Sequence, residues 1–365
     1  MKGNCHNVES HLLLTGSTGT IGRLWLPLLL AADQSRYITI LVRDPNQVSK
    51  HPRVKVVNGD LRVPQLGLDR DTWDSLANTI TEIVHCAADI RFTRSLEDAR
   101  AVNTVGTRTI LTLAREARGL KRLAHLSTTY IKGRDEGELP ECRYYNSSGF
   151  VNTYEQAKYE AEGEAFGAMP EMPLAIFRLS SVAGTKTNYF HQALRLIPNN
   201  PFPFMPGVPE SRIDLISDTW AVDILSRLFE GHFRAGAVYH VCAGPAASIA
   251  VPKLVEMAFD RMGVKRPPTL VPLKDFERFT AHVLGNGARE PIKAILRSVS
   301  SFLPHLAIDQ VFPNAATMAL LKDDNVAFCN SSEVVRDVLA SFNGYAGTSE
   351  PADMAKRQPN IRPAA

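Results

Sequence analysis

Short apolar runs alternate with longer amphipathic stretches through the first half of the chain. Leu12-Leu13-Leu14 ends in Thr15 and a glycine-rich turn, and a helical apolar stretch follows from Ile21 to Ala32. Ile38 to Val42 is compact and β-branched, as a buried strand should be. Val54 to Val57, Glu82 to His85 and Leu123 to Leu126 predict further strands, with helices over Asp71 to Asn78 and Ala99 to Arg118. Strand alternating with helix predicts right-handed βαβ units, and so an α/β fold of Rossmann type: a doubly wound parallel sheet.

Beyond Gly184 the pattern loosens. The Pro- and Phe-rich run from Pro198 to Pro209 predicts an irregular loop or lid. Helical periodicity returns from Asp214 to Glu230, a late strand is expected over Ala237 to Val241, and much of Val251 to Leu303 has helical character. The expected organisation is a dinucleotide-binding core over 10–184 with returning segments at 213–245. A smaller, mostly helical C-terminal substrate lobe over 185–345 follows, and then a disordered, Pro/Ala-rich tail at 346–365. No internal repeat is visible.

Composition narrows this only slightly. The 365 residues are 44% hydrophobic and 22% charged, with a net charge of +3 and no long Lys/Arg block, so nucleic acid is not an expected partner. Cys5, Cys86, Cys142, Cys242 and Cys329 stand singly, which fits free thiols better than a disulfide framework or a metal site. The polar N-terminus has no signal-peptide core, and the apolar run Leu24 to Ala32 is too short to span a bilayer. A cytoplasmic protein without a membrane span is the expectation.

The turn Thr15-Gly16-Ser17-Thr18-Gly19-Thr20-Ile21-Gly22 sits where the first strand meets the first helix. Its three glycines allow a tight turn, close backbone approach to a pyrophosphate, and close helix packing. A site selective for NAD places an acidic residue about 20 residues further on. Here Arg43 stands in that region, and its fork of donors suits a 2′-phosphate, with Arg23 as a possible second cation. NADP(H) is therefore expected in preference to NAD(H). Asp60, after the third apolar run, is placed either to accept from an adenine amino group or to serve a turn.

Tyr154 and Lys158 lie one helical turn apart on the same face. A phenol with a reference pKa of about 10 is a poor acid–base group at neutral pH, and a neighbouring ammonium, together with the positive charge of an oxidised nicotinamide, would bring it toward the working range. Thr128, after the strand ending at Leu126, is placed to donate to a substrate oxygen. His85, Cys86 and His125 are expected to be packed strand residues.

These motifs resemble the extended short-chain dehydrogenase/reductase superfamily over roughly residues 10 to 345. Within it the chain is most similar to the thioester reductase and fatty acyl-CoA reductase branch, with its male sterility type of NAD-binding domain. The resemblance rests on TGSTGTIGR at 15–23, LVR at 41–43, GDL at 59–61, HCAAD at 85–89 and VNTVGT at 102–107. HLSTTYI at 125–131, GFVNTYEQAKYEAE at 149–162, FRLSSVAG at 177–184 and IDLISDTWAVDIL at 213–225 extend it. It implies that Thr128, Tyr154 and Lys158 are catalytic. It further implies that Asp60 and Leu61, Ala87 and Ala88, Asn103, and Leu179 and Ser180 border the cofactor, with Arg178 nearby; Asn103 equally reads as a purely structural hydrogen bonder. Ala157 stands where the branch often has Ser.

The function implied is NADPH-dependent reduction of an acyl thioester, or of the derived aldehyde. The substrate would arrive as a CoA ester or on an acyl or peptidyl carrier protein acting in trans. Phe202 to Met205 and Ile292 to Leu306 are candidate linings for an acyl tunnel. A nucleotide-sugar epimerase or dehydratase, or a dehydrogenase of hydroxyl substrates, is the alternative on the same fold.

Overall fold

The computed structural model describes residues 10–184, 194, 204–263, 268–285, 290, 292–293, 296 and 300–342. The tail expected at 346–365 and the 198–203 part of the expected loop lie outside the described residues. Seven strands form one parallel sheet: β1 (His11–Thr15), β2 (Tyr37–Val42), β3 (Val54–Asn58), β4 (Glu82–His85), β5 (Arg122–Thr128), β6 (Leu174–Leu179) and β7 (Val238–Val241). Their order is β7-β6-β5-β4-β1-β2-β3. The progression reverses between β1 and β4, which opens a crevice beyond the carboxyl ends of those two strands. β4, β6 and β7 are buried at every position, as parallel strands covered on both faces must be, and this is why they read as apolar runs.

Helices cover both faces. α1 (Gly22–Ala32) packs Trp25 and Leu29 on one side, and Trp25 meets Phe229 of α6 (Asp218–Gly231) edge to face at 5.9 Å. α2 (Arg70–Thr79), α4 (Gly106–Glu116) and α5 (Thr153–Ala168) cover the other, with Trp73, Ile110 and Ala165 in one apolar cluster. The helix expected from Ala99 to Arg118 is divided. α3 (Leu96–Arg100) passes through a wide π turn, Ala101–Val105, before α4 begins. That turn directs Asn103 inward, and such turns gather at functional sites.

The first core cluster does not stop at the sheet. It runs from Leu12 and Trp25 through Leu225 to Leu254 and Val255 of α7 (Val251–Met262), then to Val335 and Val338 of α9 (Ser331–Ala340). α8 (Leu273–Gly285) joins it through Phe276. The Pro- and Phe-rich run is not wholly irregular. Phe204–Pro206 forms a short strand parallel to Thr269–Val271, because Met205 is fully buried and Phe204 packs on Phe279 at 4.8 Å.

At the amino ends of the strands, Arg36 and Arg122 bind Glu82 and Glu230 in a closed four-charge cluster. Its contacts are Arg36–Glu82 at 3.0 Å, Arg36–Glu230 at 2.7 Å, Arg122–Glu82 at 2.7 Å and Arg122–Glu230 at 2.8 Å. It joins the sheet to the end of α6, on the side away from the crevice.

Candidate active site

The glycine turn fills the crevice at the switch point. Gly16 has φ of +78°, and a methyl group there would sit 2.6 Å from the Ala87 amide nitrogen, so only glycine fits. Gly22 packs against the Gly16 carbonyl with no room for a side chain. Ile21 at the start of α1 provides no side-chain cap, and the first turn of α1 carries no acidic residue. The Arg23 and Trp25 amides are taken by the Gly19 and Ile21 carbonyls, and the positive end of the helix dipole faces the crevice without an acidic side chain in the first turn. The Ser17 hydroxyl is buried beside it without a hydrogen-bond partner among the described residues. This donor set fits the pyrophosphate of a dinucleotide.

A chain of buried hydrogen bonds fixes the turn. The Ala87 amide donates to the Thr15 hydroxyl at 3.2 Å, so Thr15 donates to His85 Nδ1 at 2.8 Å. His85 Nε2 then bonds the Thr107 hydroxyl at 3.1 Å, which donates to the Asn103 carbonyl at 2.6 Å. Burial holds His85 down at about 3, and its ring remains neutral. His85 and His125 are thus packed strand residues, with ring centroids 5.6 Å apart. Asn103 clamps the Asp89 backbone by accepting from its amide at 2.8 Å and donating to its carbonyl at 2.9 Å. It positions the 85–89 loop through that clamp.

At the outer end of β2, Arg43 is exposed and forms no ion pair or hydrogen bond among the described residues. Its charge reaches Asp60, which is held below the usual carboxylate range mainly by its hydrogen bond to Arg62. The Asp60 carboxylate meets the Arg62 Nε at 3.0 Å, so in this structure it serves a turn. Leu61 is buried against Gly106. Two expected neighbours of the cofactor are directed elsewhere. Arg23 points across to Asp218 at the start of α6, 3.5 Å away. Arg178 is fully buried in an ion pair with Glu162 at 2.6 Å and also donates to the Pro140 and Cys142 carbonyls, which turns it away from the crevice.

Thr128, Tyr154 and Lys158 converge beside the turn. α5 is started by the Asn152 side chain, which accepts from the Glu155 amide at 3.0 Å. Ala157, Ala161, Ala165 and Ala168 form its fully buried stripe, small enough to bring α5 close to its neighbours. Ala157, where a serine was the comparison, passes its carbonyl to the Thr104 hydroxyl at 3.0 Å. Lys158 is buried and donates to the Leu126 carbonyl of β5 at 2.7 Å. Desolvation lowers it to about 8, against the opposing charge of Glu162. Ser127 and Arg178 both hold the Glu162 carboxylate, at 2.6 Å each.

The expected lowering of Tyr154 is reversed in this structure. Burial pushes its phenol above the usual range, and its hydrogen bond with Thr128 offsets that only in part. Lys158 is spent on the Leu126 carbonyl instead. The Phe92 ring stacks on Tyr154, with centroids 5.5 Å apart.

These three residues line a cavity of about 260 Å³. Thr20, Ile21, Ala88, Leu179 and Ser180 border it. Of the proposed acyl-tunnel stretches, Phe302 and Leu306 reach the wall, whereas Met205 is in the core and not part of the lining. Sequence reasoning did not single out Tyr130, Ser181, Glu155 or His305, although His305 falls in the 292–306 stretch expected to line a tunnel. The Tyr130 hydroxyl lies 2.5 Å from the Ser181 hydroxyl, and its ring packs on the His305 imidazole at 4.6 Å. His305 Nε2 is 2.7 Å from the Glu155 carboxylate. Tyr130 lies within the HLSTTYI motif, while His305 comes 150 residues after Glu155 with no local pattern to mark it.

Residues 44–201 match the family model described as male sterility protein. The fatty acyl-CoA reductase wat of Drosophila melanogaster is 27% identical over 225 residues, which is 48% of this chain and 44% of that protein. The polyketide synthase-nonribosomal peptide synthetase ACE1 of Pyricularia oryzae is 29% identical over 289 residues, covering 72% of this chain and 7% of that synthetase. The chain thus spans less than half the length of these relatives. Among solved structures, the terminal R domain from the myxalamid PKS-NRPS biosynthetic pathway aligns with a TM-score of 0.72 at 21% identity, over 92% of this chain and 90% of that one. MoeE5 in complex with UDP-glucuronic acid and NAD aligns at a TM-score of 0.59 and 18% identity, over 86% and 93%. At these identities the structural likeness establishes the fold.

Proposed function

We propose that the chain is an NAD(P)-dependent oxidoreductase of the extended short-chain dehydrogenase/reductase type that reduces an acyl thioester with NADPH, a reading supported by its similarity to the male sterility model over residues 44–201 and to fatty acyl-CoA reductases. The observation that carries the reading is the convergence of Thr128, Tyr154 and Lys158 on a mostly apolar cavity beside the glycine turn. Bound NADPH would supply the hydride. The glycine turn and Ser17 would hold its pyrophosphate, and Arg43 a 2′-phosphate.

The Thr128 and Tyr154 hydroxyls are hydrogen-bonded to each other, which leaves one of their two protons for the oxygen of a carbonyl gaining negative charge. Tyr154 is then the acid. Burial keeps its phenol protonated, the state a proton donor needs. Lys158 is the charge behind that transfer, and the Leu126 carbonyl and Glu162 hold it ready. Phe92, Leu179, Phe302 and Leu306 exclude water and accept an acyl chain. The similarity to fatty acyl-CoA reductases and to synthetase reductase segments supports a thioester, delivered on CoA or on a separate carrier.

NADPH oxidation by the purified protein, followed optically with acyl-CoA thioesters of increasing length, tests this. Turnover that requires the thioester and is lost in Tyr154→Phe is the expected result. Bound NADPH without turnover on any thioester would overturn the substrate. Copurified NAD and activity on a sugar nucleotide would favour the epimerase alternative, against which Arg43 stands where an acidic residue would bind the ribose.

A further inference from the structure

One wall of the cavity is built for a polar guest. His305 lines it, is 7% exposed, and has its Nδ1 buried without a partner among the described residues. Its other nitrogen is committed. Glu155, fully buried, accepts from the Val151 amide at 2.9 Å, from Asn152 Nδ2 at 2.7 Å and from His305 Nε2 at 2.7 Å. Three donors converge on one carboxylate, so Nε2 carries a proton, and in the neutral imidazole Nδ1 is left as an acceptor. Tyr130 and Ser181 continue this wall, and one of their two hydroxyl protons is free to point into the cavity.

An apolar chain would leave these groups unpaired in a dry site, which is costly. A leucine or phenylalanine at 305 would line a tunnel for plain alkyl chains at no such cost. We infer that the cavity selects acyl groups bearing a hydroxyl close to the reacting carbonyl, which donates to His305 Nδ1. The closeness follows from the chain itself. Glu155 adjoins Tyr154, and Tyr130 lies two residues beyond Thr128, its amide donating to the Thr128 hydroxyl at 3.2 Å. The polar wall and the reacting centre are therefore neighbours. This inference rests on the thioester reading and adds the substrate class to it.

The test is a comparison of kcat/KM for hexanoyl-CoA with 2-hydroxy- and 3-hydroxyhexanoyl-CoA, using the full chain and NADPH. One hydroxylated ester should be preferred by roughly tenfold or more, and His305→Phe should bring the ratio to about one, whatever its absolute rates. The wild-type ratio needs no variant, so a misfolded His305→Phe leaves the test intact. Reduction of all three esters at equal efficiency would overturn this inference and spare the thioester reading. A preference that His305→Phe leaves unchanged, or a His305→Phe defect confined to NADPH binding, would assign the acceptor elsewhere and also overturn it. If none of the esters is reduced while NADPH binds, both readings fall.

Discussion

Replacing Lys158 with methionine separates what this side chain does for chemistry from what it does to the fold. Burial holds its ammonium near 8 rather than 10.5. Below 8 the folded and unfolded chains both carry the proton, and the full penalty of burying it is present, on the order of 3 kcal/mol. Between 8 and 10.5 the folded chain releases that proton while the unfolded chain keeps it, so wild-type stability gains with pH across this window. Methionine fills much of the same space without a charge but gives up the bond to the Leu126 carbonyl, which costs about 1–3 kcal/mol. The two effects nearly offset at neutral pH. The slope does not cancel. Urea unfolding of both proteins at a series of pH values should show the variant's relative stability falling by on the order of 3 kcal/mol between pH 7.5 and 10.5. A difference that stays flat would refute the reasoning, because Lys158 would then keep its ordinary basicity despite its burial. The same variant should lose at least about 100-fold in kcat, as expected for a group that supports proton transfer.

Glu162→Gln removes the charge that favours protonated Lys158, so the alkaline limb of a kcat/KM profile should move to lower pH, while urea unfolding reports a loss of about 3–5 kcal/mol from the stranded Arg178. Glu162→Asp should restore part of both. Arg43→Ala should weaken NADPH binding by roughly 10- to 100-fold and NADH binding little, as a titration of cofactor fluorescence would show. Equal losses for the two cofactors would remove the 2′-phosphate assignment. Gly16→Ala forces a side chain onto φ of +78° and against the Ala87 amide, so it should cost at least about 1–2 kcal/mol in thermal or urea unfolding and abolish cofactor binding.

The parts that could be read from sequence are those where local pattern and tertiary role coincide. β1 with its glycine turn, and the Tyr154–Lys158 pair on α5, are set by short-range spacing. The parallel, doubly wound sheet followed from alternation, and the late strand was expected over Ala237 to Val241, whereas the strand order and the central strand β6 were not read from the sequence. What spacing could not show is competition for a side chain. Arg23 and Arg178 carry motif positions, yet acidic partners at Asp218 and Glu162 claim them from elsewhere in the chain. Lys158 was legible as a residue, but its preference for the Leu126 carbonyl over the phenol depends on β5 passing within 2.7 Å. The break in the 99–118 helix has no glycine or proline at the π turn to announce it. His305 fell within the 292–306 stretch expected to line a tunnel, but its polar role was hidden for a different reason: that role comes from Glu155, with nothing but folding to bring the two together.

The four-charge cluster beneath the sheet bears on how the molecule comes off the ribosome. Glu82, Arg36 and Arg122 are made early, but Glu230, which closes the ring, is translated more than a hundred residues after Arg122. Until then two arginines share one carboxylate, β6 has no outer neighbour, and the α1 face lacks Phe229. A fragment ending at 184 contains the glycine turn, Thr128, Tyr154 and Lys158 but lacks Glu230, Phe229 and the strand that covers β6. The charge ring and the core around α1 are therefore closed only once residues from the second half of the chain have emerged.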